Sequence, residues 1–273
     1  MPDQSTSVPR AFLQGDRPLA FAHRGGSALW PENTIEAFRG ALALGVTHLE
    51  TDVHRTRDGE IVVFHDARLD RTTNGHGYIA NFTFDELRRL DAGYRMSQDG
   101  RTFPFRGKGL RIPTFAELCE LDASMRINVE LKAEGVDLPR AMWRFIEERS
   151  LQDRVLVAAA KHSLVAEFRR ACGGAVATSA SAREVTLFWA AARAGATRAL
   201  AIDYDALQVP VAQGPLTVVT PSFVSQAHAR GVQVHVWTID DAEEMRRLAA
   251  LGVDGLMSDR PDVLASVCAA LWA

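Results

Sequence analysis

Short β-branched runs alternate with stretches whose apolar residues recur at helical spacing, from Leu19 to the C-terminus. Strand followed by helix, repeated, is the pattern of a parallel sheet wrapped by crossover helices, so the class is α/β. Residues 19–22 predict a first short strand, and over 34–44 Ile35, Phe38, Ala41 and Leu42 share one helical face. Residues 48–53 and 60–64 predict two strands joined by the turn dipeptide Asp58-Gly59, able to pair as a hairpin. Residues 66–111 break the rhythm: they are rich in Arg, Asp, Gly, Thr and Asn, with one short helical pattern near 84–90, and they read as an insertion. Beyond it come a helix over 115–121 with Thr114 as N-cap, and strands at 127–131, 155–158, 175–178, 199–202, 232–237 and 255–257. Helical segments such as 138–148 and 242–251 separate them.

That is about eight βα units, the count of a (β/α)8 TIM barrel, with a small insertion after the second strand. The expected organisation is an N-terminal arm over 1–18 and a single barrel domain over 19–273, with 66–111 inserted. A dinucleotide-binding sheet is disfavoured, because Gly25-Gly26-Ser27 after the first strand lacks the G-x-G-x-x-G spacing, and no Walker A pattern occurs.

Composition narrows the partners. With 47% hydrophobic and 24% charged residues the chain can bury a large core, which excludes disorder. A net charge of -3 offers no global attraction to nucleic acid or anionic lipid, so an anionic ligand must be held locally. The apolar runs, such as 155–160, are far shorter than the roughly 20 residues that cross a bilayer, so no stable membrane insertion is expected. Cys119, Cys172 and Cys268 are scattered and show no metal spacing, and they read as buried thiols. The polar start of the chain has no secretory pattern, and the expected location is cytoplasmic.

Barrel enzymes draw their chemistry from the C-terminal ends of strands. Those ends here carry His23-Arg24, Glu50 and Asp52, His65-Asp66, and Glu130 with Lys132, all polar where a strand is otherwise apolar. Residues two apart on a strand share a face, so Glu50 with Asp52 and Glu130 with Lys132 can converge. Three carboxylates at one mouth repel unless a cation intervenes, and an all-oxygen set suits Mg²⁺ or Ca²⁺ better than zinc. His23 and His65 are then available as general acid and base, while Arg24 and Lys132 receive a phosphate. The chemistry indicated is phosphodiester cleavage. Against this, an isolated carboxylate pair is as often a salt-bridged rim, so the conjunction carries the argument. His48, His54, His76, His162, His228 and His235 read as structural, Arg101, Arg106 and Lys108 as solvated surface, and Trp237 equally as packing or as an apolar wall for substrate.

The same words resemble a known family, the glycerophosphodiester phosphodiesterases. His23-Arg24, Glu50-Thr51-Asp52 and His65-Asp66 stand in that family's order, accompanied by Pro31-Glu32-Asn33-Thr34, Leu69-Asp70-Arg71-Thr72-Thr73-Asn74-Gly75 and Glu130-Leu131-Lys132. Val236-Trp237-Thr238, Gly252-Val253-Asp254-Gly255 and Ser258-Asp259-Arg260-Pro261 resemble its last two strands, so the likeness runs from about Leu19 onward. The resemblance implies a TIM barrel that hydrolyses small glycerophosphodiesters to sn-glycerol 3-phosphate and an alcohol. It assigns the acid/base pair to His23 and His65, the metal to Glu50, Asp52 and Glu130, phosphate contacts to Arg24 and Lys132, and a glycerol wall to Trp237. The expected path runs through a cyclic phosphate formed by the substrate's own 2-hydroxyl. Two rivals stand beside it. One is a lysophospholipase D or sphingomyelinase D type activity, for which Phe103, Phe105 and Leu110 of the insertion could contact a lipid tail. The other is a catalytically silent phosphate-binding barrel.

Overall fold

A computed structural model describes residues 10–132 and 137–272. The elements run β1 (Leu19–His23), α1 (Ile35–Ala43), β2 (His48–Arg55), β3 (Ile61–Val63), α2 (Phe84–Leu87), α3 (Phe115–Cys119), β4 (Arg126–Leu131), α4 (Leu138–Glu148), β5 (Val155–Ala158) and α5 (His162–Cys172). They continue with β6 (Ala177–Thr178), α6 (Ala182–Arg193), β7 (Ala206–Pro210), β8 (Ala212–Gln213), β9 (Leu216–Thr217), α7 (Pro221–His228), β10 (Gln233–Trp237), α8 (Ala242–Ala250), β11 (Gly255–Ser258) and α9 (Pro261–Trp272).

Hydrogen bonding orders the parallel strands β6-β5-β4-β2-β1-β11-β10-β7. A parallel bridge between Ser179 and Ala206 joins the two ends. There the amide of Ala180 donates to the Ala206 carbonyl at 2.8 Å, and that of Asp205 to the Thr178 carbonyl at 2.8 Å. This is the expected (β/α)8 barrel. β3 folds back antiparallel on β2, pairing Val53 with Val63, and so forms the expected hairpin.

Alternation along each strand divides the core in two. Leu49 and Val53 of β2, Ile127 and Val129 of β4 and Val155 and Val157 of β5 face the helices in the main apolar cluster. Inside the barrel Phe21, Leu156, Ala177, Ala206 and Met257 meet Phe12 and Leu13, which reach in from the N-terminal segment. Residues 66–111 bury Leu69, Ile79, Leu87 and Ala92 in a small core shared with Val62, Phe64 and Ile112. Thr114 caps α3 as expected, accepting from the Glu117 amide while Glu117 reaches back to the Thr114 amide.

One predicted strand is wrong. Residues 199–202 do not form a ladder: Thr197–Ala199 is a 3-10 turn, and the barrel strand is β7, Ala206–Pro210. The Ala-Leu-Ala-Ile run is apolar because Leu200 and Ile202 lean on the core from a loop. Pro210 disguised the true strand, since proline argues against a ladder position, yet it sits at the last residue, opposite Trp237. Elsewhere the predicted ends differ from the observed ones by a few residues, as terminal turns do.

Candidate active site

Strand register brings the polar strand ends together. His23, the last residue of β1, pairs with Glu50 of β2, and Asp52 pairs with Glu130 of β4. Ligand oxygens of Glu50, Asp52 and Glu130 all lie within 4.8 Å of one another. Glu50 and Asp52 are buried, and Glu130 is half-buried at the mouth. Lys132, just past β4, places Nζ 3.1 Å from Asp52 Oδ1 and 2.8 Å from Glu130 Oε2. Arg24 Nε lies 3.4 Å from Asp52 Oδ2, buried and without a hydrogen-bond partner.

The turn after β1 is built for this site. Arg24 and Asn33 both adopt the left-handed conformation, with φ of 52° and 59°, strain of the kind found where surroundings over-determine a functional backbone. The Arg24 amide donates to Glu50 Oε2 at 3.1 Å, and the Asn33 amide donates to the Arg24 carbonyl at 2.9 Å. Gly25, at φ 81°, packs so closely on α1 that a Cβ would fall 2.8 Å from that of Ala37. Asn33 Nδ2 donates to Asp52 Oδ2 at 3.1 Å, its amide orientation fixed by Thr51 Oγ1 donating to Oδ1 at 2.8 Å.

Each candidate histidine has a carboxylate on Nδ1. His23 Nδ1 is 2.6 Å from Asp259 Oδ1, and Nε2 is 3.7 Å from Glu50 Oε2. His65 Nδ1 is 2.6 Å from Asp66 Oδ1. A carboxylate on Nδ1 leaves Nε2 as the nitrogen that can exchange a proton with a substrate. Asp66 accepts from Arg71 at 2.7 Å, Arg71 makes two 2.7 Å contacts with Glu32, and Glu32 accepts from Arg24 Nη1 at 3.2 Å. An unbroken polar chain therefore runs from His65 to Asp52.

Burial and like charge shape the protonation of the cluster. Burial, then Asp52, pushes Glu50 up to about 8. Burial works the same way on Asp52, but Lys132, His65 and Arg24 outweigh it and hold its carboxyl below the ordinary range. His23 is lowered by burial and raised by Glu50 and Asp259, with a net rise. Lys132 loses by burial and gains more from Asp52 and Glu130, so its ammonium is held above the usual range. Three converging carboxylates, with Glu50 raised by burial and by Asp52, make an oxygen donor set that fits a hard divalent cation.

All eight residues singled out from the sequence lie at this end of the barrel. Trp237 stands at the end of β10, 42% exposed, in the wall of a cavity that also includes Glu130. The sequence reading did not assign Asp259, Asp66, Asn33, Glu32 or Arg71. Asp259 was within reach of the rule that found the others, being a polar residue immediately after a strand.

Parallel barrels work at this mouth, and oxygen ligands, paired cations and two oriented imidazoles suit water attack on a phosphate ester. The class that fold and site define is a barrel hydrolase of phosphate esters. The model of the glycerophosphoryl diester phosphodiesterase family matches residues 23–263, and the chain belongs to that family. A glycerophosphodiester phosphodiesterase of Caldanaerobacter subterraneus is 33% identical over 254 residues, 91% of this chain and 96% of that protein. A solved glycerophosphoryl diester phosphodiesterase structure from Silicibacter pomeroyi superposes with a TM-score of 0.75 at 28% identity, covering 95% and 96% of the two chains. A phosphodiesterase of Oleispira antarctica, in complex with its product sn-glycerol-3-phosphate, gives a TM-score of 0.70 at 28% identity over 92% and 96%.

Proposed function

We propose that the protein hydrolyses glycerophosphodiesters to sn-glycerol 3-phosphate and an alcohol, with His23 and His65 as the acid/base pair and Glu50, Asp52 and Glu130 as ligands of Mg²⁺ or Ca²⁺. The observation that carries this reading is the placement of two carboxylate-oriented histidines, at 2.6 Å each, around one acidic cluster. The product held by the Oleispira relative is the product proposed here.

A divalent cation bound by the three carboxylates would neutralise phosphate charge and lower the pKa of a hydroxyl beside it. One histidine takes the proton of the glycerol 2-hydroxyl through Nε2 as its oxygen attacks phosphorus, and the other protonates the departing alcohol. Water then opens the cyclic phosphate with the two roles exchanged. Arg24 and Lys132 face the charge that develops on the phosphoryl oxygens, and Arg24 Nε brings a buried N–H with no partner to satisfy. The buried, unpaired thiols of Cys119, Cys172 and Cys268 support a reducing, cytoplasmic setting.

The test is release of sn-glycerol 3-phosphate from glycerophosphocholine by metal-stripped protein, with Mg²⁺ or Ca²⁺ restored. Turnover should return with metal and fall by about 10²-fold or more in His23→Ala and in His65→Ala. Variants within a few-fold of the parent would remove the acid/base assignment. No metal-dependent turnover at all would leave the silent phosphate-binding barrel.

A further inference from the structure

Two of the sequence words near this mouth, Leu69-Asp70-Arg71-Thr72-Thr73-Asn74-Gly75 after His65 and Pro31-Glu32-Asn33-Thr34 before α1, hold residues with no part in the acid/base pair or the acidic cluster. The first word ties itself into a rigid turn. Leu69–Arg71 is a 3-10 turn, and the buried Thr73 Oγ1 donates to the Leu69 carbonyl at 2.8 Å and accepts from the Gly75 amide at 2.9 Å. Asp70 accepts from the Gly77 amide at 3.1 Å, and Asn74 Oδ1 from the Asp91 amide at 2.8 Å. Asp70, Thr73 and Asn74 thus serve the inserted segment itself, whereas Arg71 reaches out of it to Glu32, 39 positions back along the chain.

Arg71 is a two-sided clamp. Its Nε and Nη2 donate to Asp66 Oδ2 and Oδ1 at 2.7 and 3.1 Å, and its Nη1 and Nη2 donate to Glu32 Oε2 and Oε1 at 2.7 Å each. A rigid planar guanidinium can hold two carboxylates edge-on in this way, and a lysine ammonium cannot. The far side is well anchored, because Glu32 is 14% exposed and also accepts from Arg24 Nη1 at 3.2 Å. On the near side Asp66 accepts the Nδ1–H of His65 at 2.6 Å. The backbone of His65 is fixed separately, its carbonyl accepting from His54 Nε2 at 3.0 Å. What remains to be set is the ring, and the partner that sets it, Asp66, is held from behind by Arg71. Burial pushes the Asp66 carboxyl up, but Arg71 and His65 outweigh it and hold it at about 2, so it stays an acceptor throughout the working range.

We propose that Arg71 is a positioning residue for His65: through Asp66 it keeps the imidazole in one rotamer and one tautomer, with hydrogen on Nδ1 and Nε2 free to exchange the substrate's proton. Glu32 is the anchor that ties this clamp to the turn carrying Arg24. The role rests on the diesterase reading above, since it acts through a residue of the acid/base pair.

The experiment measures turnover of glycerophosphocholine with Mg²⁺ or Ca²⁺ and, in parallel, the Nδ1 and Nε2 resonances of His65 by long-range ¹H–¹⁵N NMR. Arg71→Gln should lower kcat about 10- to 100-fold and leave KM and metal affinity unchanged, because the group it steers acts in the chemical step. Arg71→Lys should recover little of the loss, as a point charge cannot hold both carboxylates. Asp66→Asn combined with Arg71→Gln should be no slower than Asp66→Asn alone, the mark of two residues acting along one path. The His65 nitrogens should pass from a single Nδ1–H tautomer toward averaged shifts in Arg71→Gln. Arg88→Gln removes a 3.0 Å ion pair between the inserted segment and Glu117 of α3; it is the control for a loosened insertion and should turn over as the parent does. Full recovery by lysine, multiplying effects of the two substitutions, an equal loss in Arg88→Gln, or unchanged His65 shifts each overturns the clamp. A parent without metal-dependent turnover overturns the diesterase reading, and the His65 shifts then still decide whether Arg71 orients the ring.

Discussion

Acid should destabilise this barrel through two histidines that lie inside it below the acidic cluster. His235 is fully buried, its ring 5.1 Å from that of Phe21. Nε2 lies 3.0 Å from Gln233 Oε1, and Nδ1 faces Gln208 Nε2 at 3.4 Å, a pattern met only by the neutral ring, with Nε2–H donating and Nδ1 accepting. His48 lies between Phe12 and Phe21, with Arg126 Nη1 3.4 Å from its Nε2. Burial first, then Arg126 for His48 and His48 for His235, lowers both to about 3. The unfolded chain takes up these protons near 6.5, whereas the native protein does not until about 3, so stability is full above 6.5 and is lost as pH falls between the two values. At about 1.36 kcal/mol per group per pH unit, a fall to pH 5 costs about 2 kcal/mol for each histidine and about 4 kcal/mol for the pair. Glu50, raised by burial, acts in the opposite direction, so the clean measurement is a difference. Urea unfolding of the parent and of His235→Gln should diverge by about 2 kcal/mol between about pH 7.5 and 5, the variant being the less acid-sensitive. Parallel profiles would refute the reasoning.

Three further outcomes follow from the geometry. Asp259→Ala frees His23 Nδ1, so kcat should fall about 10- to 100-fold, and because Asp259 raises the His23 pKa, the associated limb of the pH–rate profile should move to lower pH. Gly255→Ala puts a methyl 2.8 Å from the rings of His235 and Phe21 inside the barrel, a clash of about 1–3 kcal/mol readable by urea unfolding. Because burial and the Asp52 charge raise the Glu50 carboxyl, binding of Mg²⁺ or Ca²⁺ should be accompanied by proton release, measured by titration calorimetry in buffers of different ionisation enthalpy.

The barrel was legible because its strands are buried on both faces and therefore read as short apolar runs spaced by helical patterns. Where a run was apolar for another reason, as at 199–202, the same rule misled, since periodicity cannot separate a ladder from a loop leaning on the core. β7 was hidden by Gln208, which faces the barrel interior and donates to Asn128 Oδ1 at 3.1 Å, and by Pro210. The polar layer inside this barrel, with His48, Asn128, Gln208, Gln233 and His235, makes its interior a poor hydrophobic signal.

At the mouth, the residues found from the sequence were those at strand ends, such as His23 and His65, and those that a two-residue strand period places on one face, Glu50 with Asp52 and Glu130 with Lys132. The residues that orient them come from far along the chain, and spacing says nothing of them. Asp259 reaches His23 across 236 positions, and Arg71 reaches Glu32 across 39. Only the closed barrel makes these pairs neighbours, because β11 lies beside β1 and the segment after β3 folds back over the turn that carries Glu32. The chain from His65 through Asp66, Arg71, Glu32 and Arg24 to Asp52 therefore couples residues 66–111 to the acidic cluster. This inserted segment holds one candidate histidine through the same chain of ion pairs that holds Arg24, so its packing and the geometry of the site are a single structural problem.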